Sequence, residues 1–268
     1  MINAKTRICG LIGNPVEHSL SPIIHNAAFS MMRLNYAYVC FNVPRNQLSE
    51  AIEGVRALDF VGFNLTIPHK KRIIDLLDDV DENAEKIGAV NTVVNRKGIL
   101  TGYNTDWVGV EKSVDLLKKK VVIIGAGGAA RAVVFCAIKN AAEVTIVNRT
   151  KEKAKIIAEE FGGDFGSLDR LKKLKGDIII NTTPVGMYPN SDESIADIEV
   201  LKNFTVAFDI VYNPIKTKFL KLAEKAGCKT IDGLWMLVHQ GAEAFQLWTG
   251  NTPDVDLMYS AARKSMGD

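Results

Sequence analysis

The stretch Val121-Val122-Ile123-Ile124 followed by Gly125-Ala126-Gly127-Gly128-Ala129-Ala130 constrains this chain more than any other. A short apolar run, a G-x-G-x-x-A turn and helix-forming residues through Lys139 together predict a buried strand, a tight turn and a helix. Gly125 permits the turn, Gly127 lets the backbone come close to a pyrophosphate, and Ala130 is small enough for the helix to pack against the strand. The helix start offers N–H groups and the positive end of its dipole to phosphates. A second strand, Glu143 to Val147, follows and supplies the β-α-β setting that the motif needs. The alternative is a glycine-rich turn used only for packing.

That second strand ends in Asn148-Arg149-Thr150, where an NAD-binding fold usually carries an acidic residue for the ribose 2'-hydroxyl. Arginine pairs instead with a 2'-phosphate. A charge pair about 4 Å apart is worth up to about 4 kcal/mol at an effective dielectric of about 20, enough to reverse cofactor choice. The sequence therefore predicts NADP over NAD, with Arg149 as a solvated residue before a helix as the bland alternative. Lys151 and Lys153 add positive potential or are ordinary surface charges.

Strand-like and helical patterns alternate through Arg7 to Gly13, Pro22 to Leu34, Tyr36 to Val43, Asn46 to Leu58 and Phe60 to Asn64. This predicts parallel β-α-β units. A second series runs through Val121 to Ile124, Glu143 to Val147, Asp177 to Ile180 and Val206 to Ile210, so two sheets are expected. Between the two series, Val90 to Tyr103 reads as a hairpin turning at Arg96-Lys97-Gly98. Asn104-Thr105-Asp106 then supplies capping chemistry for a helix to about Leu117, and the domain junction is expected there. The tail from Gly233 reads as two helices broken at Gly250-Asn251-Thr252-Pro253, which return to the first domain for something to pack against. The boundaries expected are 1–105, with 237–268 packing back on them, and 106–236.

The 268 residues suffice for this, and 47% hydrophobic with 24% charged residues describe a globular α/β protein. Lys and Arg exceed Asp and Glu by only 33 to 31, too little for a nucleic-acid or anionic-membrane surface. The longest apolar and glycine run, near Val121 to Ala130, is far short of the ~18 residues of a spanning helix. Met1 to Gly13 lacks a signal-peptide pattern. Cys9, Cys40, Cys136 and Cys228 lie far apart without a Cys-x-x-Cys, which points to reduced, buried cysteines in a cytoplasmic protein. No His or Cys cluster suggests a metal.

Three polar motifs precede the glycine turn. Ser19-Leu20-Ser21-Pro22 places two hydroxyls at a helix start, suited to a carboxylate or, for one of them, to N-capping. In Asn64-Leu65-Thr66-Ile67-Pro68-His69-Lys70 an extended chain puts Asn64 and Thr66 on one face, opposite Leu65 and Ile67, with Lys70 at the end. In a cleft Lys70 would serve as a general acid or base; otherwise it is a solvated lysine opening a helix. His69 lacks a partner and is read as non-catalytic. The third motif pairs Gly88-Ala89-Val90-Asn91-Thr92 with Gly102-Tyr103-Asn104-Thr105-Asp106, where Asp106 is either a cap or a carboxylate facing the cleft.

Taken in order and spacing, these motifs resemble the shikimate dehydrogenase family over nearly the whole chain. The resemblance extends through Asn181-Thr182-Thr183-Pro184-Val185-Gly186-Met187, Asp209-Ile210-Val211-Tyr212-Asn213-Pro214 and the late Gly233 to Gln240. It implies an N-terminal α/β substrate domain, a Rossmann-like doubly wound NADP domain and a cleft between them. It further implies reversible NADP-dependent reduction of 3-dehydroshikimate to shikimate. By motif, Ser19 and Ser21 would hold the substrate carboxylate, and Asn64, Thr66, Asn91, Asp106 and Gln240 its hydroxyls, with Tyr212 nearby. Lys70 and Asp106 would be the catalytic pair. The cofactor would meet Gly125, Ala126, Gly127, Gly128, Ala129, Asn148, Arg149, Thr150, Lys153, Thr183, Ile210 and Gly233, with Glu82 and Met236 as weaker carry-overs. The rivals are a quinate or dual quinate/shikimate dehydrogenase and a non-catalytic NADP-sensing protein. Monomer and homodimer both stay open.

Overall fold

The computed structural model describes residues 2–267. They form two compact units, one holding the residues up to Thr105 and again from Val238 onward, the other Asp106–Leu237.

The first unit contains β1 (Arg7–Gly13), α1 (Ser21–Met31), β2 (Tyr36–Asn42), α2 (Leu48–Ala57), β3 (Gly62–Leu65), β4 (Asp79–Val80), α3 (Glu82–Ile87), β5 (Thr92–Arg96) and β6 (Ile99–Tyr103). Its sheet runs β2-β1-β3-β5-β6-β4. The β-α-β alternation yields the expected parallel pairing of β1 with β2 and β3. The β5–β6 hairpin then makes the sheet mixed, because β5 runs antiparallel to both β3 and β6. Lys97 and Gly98 both adopt positive φ, 57° and 86°, the backbone of a tight hairpin turn whose twist matches its strands. The reversal has a consequence for position: β5 begins where β3 ends, with Asn64 opposite Thr92 and Thr92 opposite Tyr103. The polar ends of three strands therefore gather at one edge. Ile12, Phe63, Leu65, Val93 and Leu100 pack against Leu48, Ile52 and Val55 of α2, each burial worth about 1.5–3 kcal/mol.

The second unit contains α4 (Asp106–Ser113), β7 (Lys120–Ile124), α5 (Gly128–Lys139), β8 (Glu143–Asn148), α6 (Lys151–Phe161), β9 (Asp164–Ser167), β10 (Ile178–Asn181), α7 (Ile198–Leu201), β11 (Val206–Asp209), α8 (Lys218–Lys225) and β12 (Lys229–Ile231). All pairs are parallel in the order β12-β11-β10-β7-β8-β9. The chain winds outward from β7 to β9, returns, and winds the other way from β10 to β12. This is the doubly wound Rossmann-like order, whose reversal lies between β7 and β10. Val121 and Ile123 enter the core shared with α4, α5 and α6, while Val122 and Ile124 enter the one shared with α7 and α8. Burial on both faces explains why β7 is an unbroken apolar run.

Two helices close the chain, α9 (Gly233–Thr249) and α10 (Val255–Ser265), separated at Gly250 as expected. From Val238 onward they belong to the first unit. There α10 packs on α1, and the Trp248 indole donates to Val93 O at 3.0 Å.

Several expectations are corrected. Helix α4 stops at Ser113 rather than near Leu117, because the Ser113 hydroxyl turns back to Gly109 O and Asp115 accepts the Leu117 N–H. Strands β4, β9 and β12 are additional to those expected, being short and without an apolar run. Ile67 is 74% exposed, because β3 ends at Leu65 and the alternation does not continue. All four cysteines are free; Cys9, Cys136 and Cys228 are buried, whereas Cys40, on edge strand β2, is only half-buried. Among the described residues no helix is long and apolar enough to cross a membrane. Nor is any group of three His, Cys, Asp or Glu side chains arranged to hold a metal ion.

Candidate active site

In the first unit, the edge where β3 ends and β5 begins buries Asn64, Asn91, Thr92, Asn104 and Thr105. Burying such groups unpaired would cost about 1–3 kcal/mol each; Asn64, Asn91, Thr92 and Thr105 pair with one another, and Asn104 Nδ2 donates to Ala89 O at 2.8 Å. Asn91 Oδ1 accepts the Thr105 N–H at 2.6 Å, and Asn91 Nδ2 donates to Thr105 Oγ1 at 3.0 Å. Asn64 Nδ2 donates to Thr92 Oγ1 at 2.9 Å. Helix α9 carries Gln240 into the same cluster, where its Oε1 accepts from Asn91 Nδ2 at 3.3 Å. The set is neutral and rich in donors and acceptors.

The serine motif lies at the start of α1. Leu20, not a serine, occupies the N-cap position and makes no side-chain capping bond. Ser19 Oγ instead accepts the Ser21 N–H at 3.2 Å, and Ser21 is buried. Thr66 is half-buried just past β3, and Lys70 is half-buried in the turn that follows. Lys70 precedes a 3-10 turn, Arg72–Leu76, rather than an α-helix, and its carbonyl accepts the Val90 N–H at 2.8 Å. His69 is buried with Nε2 at 2.8 Å from Val43 O. Glu82 is exposed on α3 and paired with Lys86 at 2.5 Å, which holds its carboxyl below the usual range.

In the second unit the glycine turn sits at the reversal of the sheet. Gly125 has φ 121°, and a Cβ there would overlap Thr182 Oγ1. A Cβ at Gly127 or Gly128 would meet nothing within 4 Å, and the N-terminus of α5 has no side-chain cap. This open, uncapped helix start fits a phosphate group. Asn148 ends β8 with Nδ2 donating to Thr150 O at 2.9 Å, and Arg149, Thr150 and Lys153 are exposed around the start of α6. Lys151, by contrast, lies over the Phe165 ring at 5.7 Å.

Family models match three consecutive segments: the shikimate dehydrogenase substrate binding domain over residues 11–93, shikimate/quinate 5-dehydrogenase over 109–234, and the shikimate 5'-dehydrogenase C-terminal domain over 233–263. A shikimate dehydrogenase (NADP+) of Methanocaldococcus jannaschii is 50% identical over 278 residues, covering 97% of this chain and 98% of its own. A crystal structure of shikimate dehydrogenase in complex with NADP+ superposes with TM-score 0.94 at 48% identity, over 99% of this chain and 97% of that one. Another, from Thermus thermophilus in complex with NADP(H) and shikimate, gives 0.91 at 38% identity, over 97% and 99%. The chain belongs to the shikimate dehydrogenase family.

Within that family's frame, the structure joins Asn64, Asn91 and Gln240 in one hydrogen-bonded cluster of the first unit. In the second, Thr183 lies beside Gly125, and Gly233 packs so closely on the Ile210 carbonyl that a Cβ there would overlap it. Met236 is buried in the core of that unit, and Tyr212 is half-buried after β11. Lys70 belongs to the first unit, and Asp106, buried, opens the second.

Other buried polar residues were not singled out in the sequence. Tyr38 donates to Asn64 Oδ1 at 2.7 Å, and Thr92 and Thr105 bridge the amides. The only hint of the two threonines was their place inside Asn-Thr motifs. Asp209, at the end of β11, accepts from Thr217 Oγ1 at 2.6 Å, Asn181 Nδ2 at 3.0 Å and the Val211 N–H at 3.0 Å. Burial pushes its carboxyl up to about 6 despite those donors. Asn181 Oδ1 in turn accepts both the N–H and the hydroxyl of Thr183, so Asp209 braces the loop beside the glycine turn.

Proposed function

We infer that the chain catalyses the reversible, NADP-dependent reduction of 3-dehydroshikimate to shikimate, a step toward aromatic amino acids. The observation that carries this reading is the buried, mutually bonded set Asn64, Asn91 and Gln240 in a member of this family. Neutral amides and hydroxyls at such density suit a small polyhydroxylated acid and reject ligands lacking the matched hydroxyls. Ser19 and Ser21, at the start of α1, take the carboxylate. Thr66 and Tyr212 complete the substrate's surroundings.

NADP, when bound, supplies the hydride chemistry. Gly125, Ala126, Gly127, Gly128 and Ala129 receive its pyrophosphate on backbone N–H groups, and the empty space over Gly127 and Gly128 supports that use. Asn148, Arg149, Thr150 and Lys153 receive the ribose phosphate. Thr183, Ile210, Gly233 and Met236 line the remainder, with Glu82 the weakest member. Ketone reduction builds negative charge on oxygen, so Lys70 stabilises that oxygen and delivers a proton to it, with Asp106 as the second member of the catalytic pair. We assign the enzyme to the cytoplasm, as a monomer or homodimer acting on a small molecule.

The test is absorbance at the reduced-nicotinamide band, with shikimate or quinate and NADP or NAD in all four combinations. Shikimate with NADP is expected to be fastest. No turnover by the wild type at neutral or alkaline pH would overturn the enzyme reading, and a preference for quinate would overturn the substrate.

A further inference from the structure

We propose that Tyr38 is a positioning residue of the substrate site, whose buried hydroxyl fixes the Asn64 carboxamide so that Asn64 meets the substrate as a hydrogen-bond acceptor only. The identity of the substrate rests on the function inferred above; the positioning rests on geometry. Tyr38 is 1% exposed and clamped from several sides. Its N–H donates to Asn26 Oδ1 and its carbonyl accepts from Asn26 Nδ2, both at 2.9 Å. The His25 ring stacks on its ring at 4.4 Å and 9°, and Trp248 lies 6.0 Å away.

The clamped hydroxyl reaches Asn64 Oδ1 at 2.7 Å. An amide oxygen carries no proton, so the phenol is the donor. Burial pushes the phenol well above its ordinary range, with the Ser21 side chain pulling the other way, so it keeps that proton at working pH. Asn64 Nδ2 in turn donates to Thr92 Oγ1 at 2.9 Å and to Asn91 O at 3.2 Å. A flipped amide would set oxygen against the Asn91 carbonyl, which cannot donate. What Asn64 has left for a ligand is the second lone pair of Oδ1, and the matching ligand group is a hydroxyl that donates. Thr92, having accepted from Asn64, lies 3.2 Å from Asn91 Oδ1 and 3.0 Å from Thr105 Oγ1, which is 3.4 Å from Gln240 Oε1. Tyr38 thus heads a chain reaching both other amides, and such chains strengthen cooperatively.

Tyr38→Phe keeps the ring and its stacking and removes the donor. The expected result is a KM for shikimate raised about tenfold, with kcat and the KM for NADP within about twofold of wild type. Asn64→Ala and the double variant complete a cycle. If Tyr38 acts through Asn64, the double variant matches Asn64→Ala; additive effects on KM would overturn the proposal. A readout independent of turnover is the Asn64 side-chain amide resonance in the free protein, which shifts in Tyr38→Phe if the phenol holds it and stays put if it does not. Should Tyr38→Phe fail to fold, Thr92→Val, which removes one of the two acceptors of the same amide, must raise the shikimate KM selectively; an unchanged KM would overturn the proposal. A wild type inactive on shikimate would sink the function, whereas an unshifted amide would sink the positioning.

Discussion

In the first unit Asn64, Asn91, Thr92, Thr105 and Gln240 are buried and bonded to one another. In the second, the groups proposed for the cofactor are open: Gly127 and Gly128 face empty space, and Arg149, Thr150 and Lys153 are exposed. A closed neutral set recognises by pattern, because a ligand that lacks one hydroxyl leaves a buried group unpaired. An open backbone turn recognises by charge and tolerates variation around it. On the proposed assignment, the same polypeptide would use enclosure for one ligand and exposure for the other, and the following variants probe that contrast.

The largest effect is expected at Lys70, the charge proposed to act beside the neutral set. Lys70→Ala should lower kcat by about 10²- to 10⁴-fold with little change in the KM for shikimate, measured by steady-state kinetics. A variant with full kcat would remove Lys70 from catalysis and leave the first unit as a binding surface only. On the open side, Arg149→Ser should lower kcat/KM with NADP by about tenfold to a hundredfold while leaving NAD nearly unchanged. An unchanged cofactor preference would mean that the exposed side discriminates through backbone alone.

The strand, turn and helix from Lys120 to Lys139 were legible because strand burial on both faces and the glycine spacing leave few alternatives. The Lys97-Gly98 hairpin was legible for the same kind of reason, a turn that needs particular backbone angles. β9, Asp164–Ser167, was not, since its only large apolar side chain is Phe165 and its pairing with β8 comes from tertiary context. The site divided likewise. Asn64 stood out as one of two polar residues on one face of an extended segment leading to Lys70, and Asn91 as part of the motif Gly88-Ala89-Val90-Asn91-Thr92. Tyr38 did not, because a tyrosine in a strand is ordinary until its hydroxyl finds Asn64, 26 residues away. Gln240 came only through the family resemblance, because its partner Asn91 is 149 residues distant.

The contrast extends to how each unit responds to acid. In the first, His25 is fully buried among Tyr38, Phe29, Phe245 and Trp248, and burial lowers its pKa from 6.5 to about 3. The unfolded chain takes up that proton below about 6.5 and the native one does not, so stability is lost as pH falls through this range. Between pH 7 and pH 5 the loss from this group is about 2 kcal/mol. His25→Phe, which keeps a stacked ring, should flatten the thermal-stability profile there; a profile as steep as wild type would exclude His25 as its source.

Asp209 in the second unit has the opposite sign. Burial raises its carboxyl from 3.8 to about 6, so between these values the native state holds a proton that the unfolded state has released. Its contribution to stability is therefore greatest below about 4 and declines as pH rises through 6. Moving from pH 7 to pH 5 should recover about 1 kcal/mol from this group, in part offsetting His25. Asp209→Asn removes the titration, so the melting temperature of wild type relative to this variant should rise as pH falls from 7 to 5. A difference that stayed constant would mean that the donors from Asn181, Val211 and Thr217 fully compensate the buried charge. In that case the second unit would carry a buried charge as comfortably as the first carries neutral amides, and the contrast would narrow to the open glycine turn alone.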